Sequence, residues 1–327
     1  MTAEMAEQPD VLRALIADAA EIRARVLALI DQPLHGVAFV ARGSSDNAAV
    51  FGRYACELTT GLPAGLTAPS IHTRYRPRVD YRGQLVIGLS QSGATPEIVT
   101  TCERLRAAGA RVIAITNDPA SPLATAAELP LPLGAGDERA VPATKTVTAQ
   151  MLMLALVAAA LGDAPFSKDD LAGLPGAVAR ALADDEPVAA LAAEWVEANR
   201  LVVVARGVML AAALETALKI TETAGISAHG ISSADLLHGP IAALDAELPV
   251  LVLRGGGPAD EDLDALVRRL AGTAVGAVQW PPAGDVPELL APIVAVVRGH
   301  QLARAWALAR GLDPDAPAGL SKVTATR

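Results

Sequence analysis

The sequence predicts an α/β protein made of two tandem doubly wound parallel-sheet domains related by an internal duplication. Two bulk observations point there. The chain has 327 residues, more than the roughly 250–300 at which one core normally splits in two. Hydrophobic residues make up 52% of it and charged residues 19%, with no low-complexity tract, which excludes a disordered chain. The third observation is a repeat. Phe39-Val40-Ala41-Arg42-Gly43 is echoed by Val203-Val204-Ala205-Arg206-Gly207, and Val203 follows Phe39 by 164 positions.

The same shift carries Leu85 to Leu89 onto Pro249 to Leu253, Val112 to Ile115 onto Gly276 to Gln279, and Leu129 to Leu133 onto Ile293 to Val297. Each run is short and rich in Val, Ile or Leu, as a parallel strand covered on both faces reads. Helical patterns fill the gaps. They cover Ala48 to Leu58 and Pro96 to Ala108 in the first copy, and Ala211 to Ala224 and Asp260 to Leu270 in the second. Alternating β and α elements give a doubly wound sheet in each half. Two further helical patterns, Val11 to Ile30 and Leu171 to Ala183 continuing to Asn199, lead into the two copies. A linker is expected near Gly162 to Gly173, so the domains are expected at residues 1–162 and 175–327.

Charge and cysteine usage narrow the function classes. The formal net charge of −9 leaves no basic stripe for a phosphate backbone, so nucleic acid is not an expected partner. Cys56 and Cys102 form neither a disulfide framework nor a metal pattern, which fits a reducing cytosol. The opening MTAEMAEQPD is acidic where a signal peptide would be basic, and the apolar run Met151 to Leu161 is shorter than the ~20 residues of a membrane span. A soluble, cytoplasmic protein is expected.

Open α/β sheets hold ligands beyond the carboxyl ends of their strands. There the copies diverge. Ser90-Gln91-Ser92-Gly93-Ala94-Thr95 follows the second strand of the first copy, whereas Arg254-Gly255-Gly256-Gly257 follows that of the second. Ser90, Ser92 and Thr95 offer hydroxyls, Gly93 permits a tight turn, and Pro96 suits the first position of a helix capped by Thr95. A helix N-terminus with free N–H groups attracts anions, and a phosphate fits this loop. An ordinary βα turn with a threonine cap is the bland alternative. A second serine-rich loop, Gly43-Ser44-Ser45-Asp46-Asn47, enters another helix after the first strand.

Glu215, Lys219 and Glu222 stand at i, i+4 and i+7 of the Ala211–Ala224 helix and share one face. They form either a solvated stripe or the lining of a cleft. His238 lies in Leu236-Leu237-His238-Gly239-Pro240, which also reads as a plain helix stop. Lys322, five residues from the C-terminal Arg327, has the local reading of a solvated tail.

Taken together, ARGSSDNAA, SQSGATPE, ERAVPATKT, ALETALKITET, LLHGP and LSKVT occur in the order and spacing of the double-SIS-domain (sugar isomerase) family. The chain resembles the isomerase half of glucosamine-6-phosphate synthase, and more closely the freestanding SIS-type glucosamine-6-phosphate deaminases. The resemblance implies two SIS domains without a cofactor or metal. It implies that Ser90, Gln91, Ser92 and Thr95 hold a sugar phosphate beside Ser44 and Ser45, and that the loop with Val141 and Ala143 touches the sugar. By the same likeness Glu222 matches the carboxylate that shuttles a proton between C1 and C2. His238 matches the ring-opening histidine, Lys322 the tail lysine that engages the substrate carbonyl, and Lys219 a lysine near the base. A homodimer with shared sites is also implied, the histidine reaching across its interface.

The departures matter too. The synthase needs a cysteine after Met1, but position 2 is Thr and no cysteine precedes Cys56. Pro142 and Ala143 replace an Ala-Ser pair in the sugar loop, which removes one hydroxyl. The resemblance therefore favours glucosamine 6-phosphate going to fructose 6-phosphate and ammonia. A deglycase or isomerase of another 6-phosphosugar, and a non-catalytic phosphosugar sensor, stay open.

Overall fold

The computed structural model describes residues 1–273 and 275–322. The chain divides into two compact units. The N-terminal unit comprises Asp10–Glu138, Lys145–Ser167 and the tail from Ser321. The C-terminal unit comprises Met1–Pro9, Arg139–Thr144 and Lys168–Leu320. Each unit thus owns a segment that a simple cut between residues 162 and 175 assigns to the other.

In chain order the helices are α1 (Thr2–Ala6), α2 (Gln8–Ala17), α3 (Ala19–Leu29), α4 (Ser44–Thr60), α5 (Pro96–Ala107), α6 (Pro122–Ala126), α7 (Lys145–Leu161), α8 (Lys168–Ala183), α9 (Glu186–Glu194), α10 (Leu210–Ala224), α11 (Ser233–Leu237), α12 (Asp260–Leu270) and α13 (Ala291–Ala309). The strands are β1 (Gly36–Val40), β2 (Ala64–Leu66), β3 (Gln84–Leu89), β4 (Arg111–Thr116) and β5 (Leu129–Pro132), then β6 (Arg200–Ala205), β7 (Ser227–Ser232), β8 (Val250–Leu253) and β9 (Ala277–Trp280).

The N-terminal unit holds a fully parallel sheet in the order β2-β1-β3-β4-β5. Alternate residues of its strands serve opposite faces. Val40, Val86, Val112 and Ala114 pack on Ile98, Cys102 and Leu105 of α5. Phe39 points the other way, against Gly52 of α4, where an added Cβ would stand 2.9 Å from the Phe39 ring and 3.0 Å from Leu154 of α7. Helix α7 is almost wholly buried, and from Met151 onward it is apolar on every side, as a central helix must be.

The C-terminal unit repeats the pattern with a parallel sheet in the order β7-β6-β8-β9. Its strands thus follow the order of the first four of the other sheet, as a duplicated doubly wound fold requires. Val202, Val204, Val250 and Val252 pack on Leu263, Leu266 and Leu270 of α12. Helices α10 and α13 pair with each other within this unit.

Three sequence expectations need correction. Ile293 to Val297 is not a fourth strand but part of the 19-residue helix α13, so the second sheet has no counterpart of β5 among the described residues. The run from Val11 to Ile30 breaks at Asp18 into α2 and α3. The pattern from Leu171 to Asn199 likewise divides at Asp184-Asp185 into α8 and α9, where Pro187 suits a new first turn. Strands β2 and β7 were not anticipated.

Candidate functional site

In the N-terminal unit both serine-rich loops leave the carboxyl ends of neighbouring strands, β1 and β3. Helix α5 begins at Pro96 with Thr95 as its N-cap, but the Thr95 hydroxyl makes no capping bond. It lies 3.4 Å from Ser90 Oγ instead. The turn is closed from inside: Gly93 N–H donates to Ser90 Oγ (3.1 Å) and Ala94 N–H to Ser92 Oγ (3.2 Å). Gly93 has φ +61°, and a Cβ there would lie 2.1 Å from Ser121 Oγ, so glycine is required twice over. Ser90 is buried while Gln91, Ser92 and Thr95 are partly accessible.

The first loop is set the same way. Gly43, at φ +60°, precedes α4, and buried Ser45 accepts a hydrogen bond from Gln150 Nε2 of α7 at 3.0 Å. Ser44 is partly accessible beside it. Burial raises the pKa of Asp46 in this first turn, and nearby Arg42 partly offsets the effect. Arg42 also donates from Nε to Glu97 Oε2 of α5 (3.1 Å), tying the two loops together. Short hydroxyls at two adjacent helix N-termini form a cradle for an anion.

The corresponding loop of the C-terminal unit is filled by its own side chain. Gly255 N–H and Gly256 N–H each donate to the Asp260 carboxylate at 3.1 Å, and Glu288 is pushed up by burial and by Asp260. A carboxylate thus already occupies the place where an anion would sit.

The helix stripe is no solvated stripe. Glu215 and Lys219 are each 1% exposed and Glu222 is 24% exposed. Lys219 Nζ contacts Glu222 Oε2 directly and lies 3.7 Å from Glu215 Oε1. From α13, fully buried His300 brings Nε2 to 3.6 Å from Glu215 Oε1, a neighbour the sequence reading missed. In the same unit His238 caps the end of α11 and is exposed, followed by Gly239 at φ +152° and Pro240.

The sugar-loop candidates Val141 and Ala143 belong to the C-terminal unit. Glu4 of α1 fixes the start of their loop by accepting from Arg139 N–H and Ala140 N–H. Val141 N–H donates to Asp315 O at 2.9 Å. Lys322 belongs to the N-terminal unit and is not a free tail residue: its Nζ lies 2.9 Å from Glu138 Oε2. Val323 and Thr324 of the terminal motif lie outside the described residues. The candidates thus divide between the units: the phosphate loops and Lys322 belong to one, and Glu222, Lys219, His238, Val141 and Ala143 to the other, where Lys219 and Glu222 are in direct contact.

The SIS-domain model matches residues 29–160 and 195–275. The chain belongs to the SIS-domain family. Among curated relatives, the glutamine–fructose-6-phosphate aminotransferase (isomerizing) of Streptomyces coelicolor is 31% identical over 98% of this chain, and that of Escherichia coli K12 is 30% identical over 98%. This chain spans 58% of the length of each. Among solved structures, a candidate phosphosugar isomerase from Silicibacter pomeroyi DSS-3 is 31% identical. It superposes with a TM-score of 0.88 over 96% of this chain and 99% of its own. The glucosamine-6-phosphate deaminase of Thermotoga maritima, 24% identical, shares the fold with a TM-score of 0.76 over 97% of this chain and 100% of its own.

Among the described residues no helix is long and apolar enough to cross a membrane. Among the same residues, no group of three His, Cys, Asp or Glu side chains is placed to hold a metal ion.

Proposed function

We propose that this protein is a phosphosugar aldose–ketose isomerase and deaminase that converts glucosamine 6-phosphate and water to fructose 6-phosphate and ammonia. The observation that carries the reading is the withdrawal of Glu215 and Lys219 from solvent next to the accessible Glu222. Burying an ammonium and a carboxylate is a poor route to stability, and such groups are characteristic of sites that move protons. A phosphosugar sensor needs the serine loops but has no use for that cluster.

In this reading Ser90, Gln91, Ser92 and Thr95, with Ser44 and Ser45, bind the 6-phosphate. His238 moves the proton between the C1 hydroxyl and the ring oxygen as the ring opens, a step for which an imidazole has both a donor and an acceptor nitrogen. Glu222 takes the C2 proton as the enolamine intermediate forms and delivers a proton, partly exchanged with solvent, to C1. The C2 imine that results is hydrolysed: water oxygen bonds to C2 and ammonia leaves. Lys322 engages the carbonyl, Lys219 orients Glu222, and Val141 and Ala143 border the sugar. The acting species is proposed to be a homodimer, since exposed His238 is available to a second copy.

The test is to incubate purified protein with glucosamine 6-phosphate and to assay ammonia and fructose 6-phosphate together, with Glu222→Gln alongside. Equal amounts of both products from the unaltered protein and neither from the variant are expected. Binding without either product, shown by a rise in melting temperature, would favour another 6-phosphosugar or a sensor.

A further inference from the structure

Glu138 has no role in the proposed reaction, yet its carboxylate is fully enclosed and pairs with a partly accessible lysine. Its side chain is 0% exposed, whereas that of Lys322 is 22% exposed. Its two oxygens divide the work. Oε1 accepts from Thr146 N–H at 3.1 Å, and Oε2 accepts from Thr146 Oγ1 at 2.8 Å and from Lys322 Nζ at 2.9 Å. The first bond satisfies an orphan N–H in the opening turn of α7 and fixes the carboxylate against a rigid helix. A carboxylate so fixed holds the ammonium it pairs with in one position, and a buried oxygen makes that pair far stronger than a surface one.

The same segment reaches the phosphate loop. Asn117, which follows β4, donates from N–H to Gln91 O at 3.0 Å. Its side chain donates to Gly136 O (2.8 Å) and accepts from Ala135 N–H (2.9 Å). The chain then runs two residues from Gly136 to Glu138. Gln91, Asn117, Gly136, Glu138 and Lys322 therefore form one continuous set of bonds inside a single unit.

We infer that Glu138 is the positioning residue for Lys322, pinning its ammonium so that the lysine stands in fixed register with the serine-rich phosphate loop. The inference rests on the proposed role of Lys322 for its catalytic consequence, but the pinning itself does not.

The sequence contains four lysines, Lys145, Lys168, Lys219 and Lys322, so amine acylation by an N-hydroxysuccinimide ester, read by mass spectrometry, follows each one separately. Lys168 is exposed, and Lys145 and Lys219 are buried. In the folded unaltered protein Lys322 should react at least tenfold more slowly than Lys168, and Glu138→Gln should bring it within threefold. Thr146→Ala controls for the hydroxyl bond: it removes the Thr146 Oγ1 donor to Oε2 but keeps the N–H that Oε1 accepts, so Lys322 should stay slow. Turnover is measured in parallel. With Glu138→Gln, kcat should fall at least tenfold with KM within threefold, and adding Lys322→Met to that variant should cost little more.

Equal labelling of Lys322 and Lys168 in the unaltered protein overturns the pinning even if the variant fails to fold. An unchanged Lys322 rate in folded Glu138→Gln does the same. Fast Lys322 labelling with unchanged turnover retains the pinning and overturns the positioning role. If the unaltered protein itself is inactive, the labelling still decides the pinning, and the failure belongs to the proposed reaction.

Discussion

Replacing Lys219 by Met removes the ammonium that lies between two carboxylates on α10 while keeping a long unbranched side chain. Glu215 is left 1% exposed with the Lys219 ammonium gone. Breaking a buried pair by deleting one partner costs about 3–5 kcal/mol, because the surviving charge stays desolvated. The partly accessible Glu222 recovers most of its hydration and adds little. At a urea slope of about 2 kcal/mol/M, the midpoint should fall by roughly 1.5–2.5 M. The assay is built in: all three tryptophans, Trp195, Trp280 and Trp306, lie in the C-terminal unit, and Trp195 packs on Trp306 at 5.9 Å. Tryptophan fluorescence thus reports the unfolding of the unit that carries the change. Adding Glu215→Gln to Lys219→Met should restore at least half of the loss, since position 215 then carries no buried charge. A midpoint unmoved by Lys219→Met, or a double variant less stable than the single one, would refute the electrostatic reasoning.

Other outcomes follow from the same geometry. Gly93→Ala should cost about 1–3 kcal/mol, since it combines a positive φ with a Cβ 2.1 Å from Ser121 Oγ. It should also abolish the melting-temperature rise given by glucosamine 6-phosphate. Burial pushes both Cys56 and Cys102 up to about 12. Neither should react with a disulfide reagent at pH 8 until the protein unfolds. The unfolded chain loses these protons first, so stability present below about pH 9 declines as pH rises toward 12. A Cys56→Ala/Cys102→Ala variant should show a shallower alkaline decline than the unaltered protein in denaturant titrations at pH 8 and pH 10.

Much of the fold was legible because buried parallel strands are short aliphatic runs, and the second copy kept the spacing of the first. The error at Ile293 to Val297 has a plain cause: an apolar run buried on all sides carries no periodicity that separates strand from helix. Helix α13 continues through Gly299, where a Cβ would meet Thr216 Oγ1 at 2.2 Å, and that close approach to α10 leaves no trace in a local pattern. Strands β2 and β7 escaped notice because Ala64-Gly65-Leu66 and Ser227-Ala228-His229-Gly230 lack β-branched residues before Ile231. Their pairing with β1 and β6 is a tertiary effect.

The candidate site divided in the same way. Loop residues such as Ser90, Ser92 and Gly93 carry their meaning locally, in turn chemistry. The stripe's spacing on α10 was readable, but its burial was not, since that depends on α13 and His300. Nothing near Lys322 in sequence hinted at Glu138, 184 positions away, and the exchange of the first and last segments between units is equally invisible to local reading.

The central claim is that Glu222 moves a proton between C1 and C2 of a bound hexosamine 6-phosphate, and solvent deuterium tests it most directly. Glucosamine 6-phosphate is incubated with the protein in D2O, and loss of the C2–H signal and gain of deuterium at C1 of any ketose product are followed by NMR. The account predicts isotope exchange with the unaltered protein and none with Glu222→Gln, while both still bind the sugar. Saturating binding without exchange in the unaltered protein, or undiminished exchange in Glu222→Gln, would contradict it.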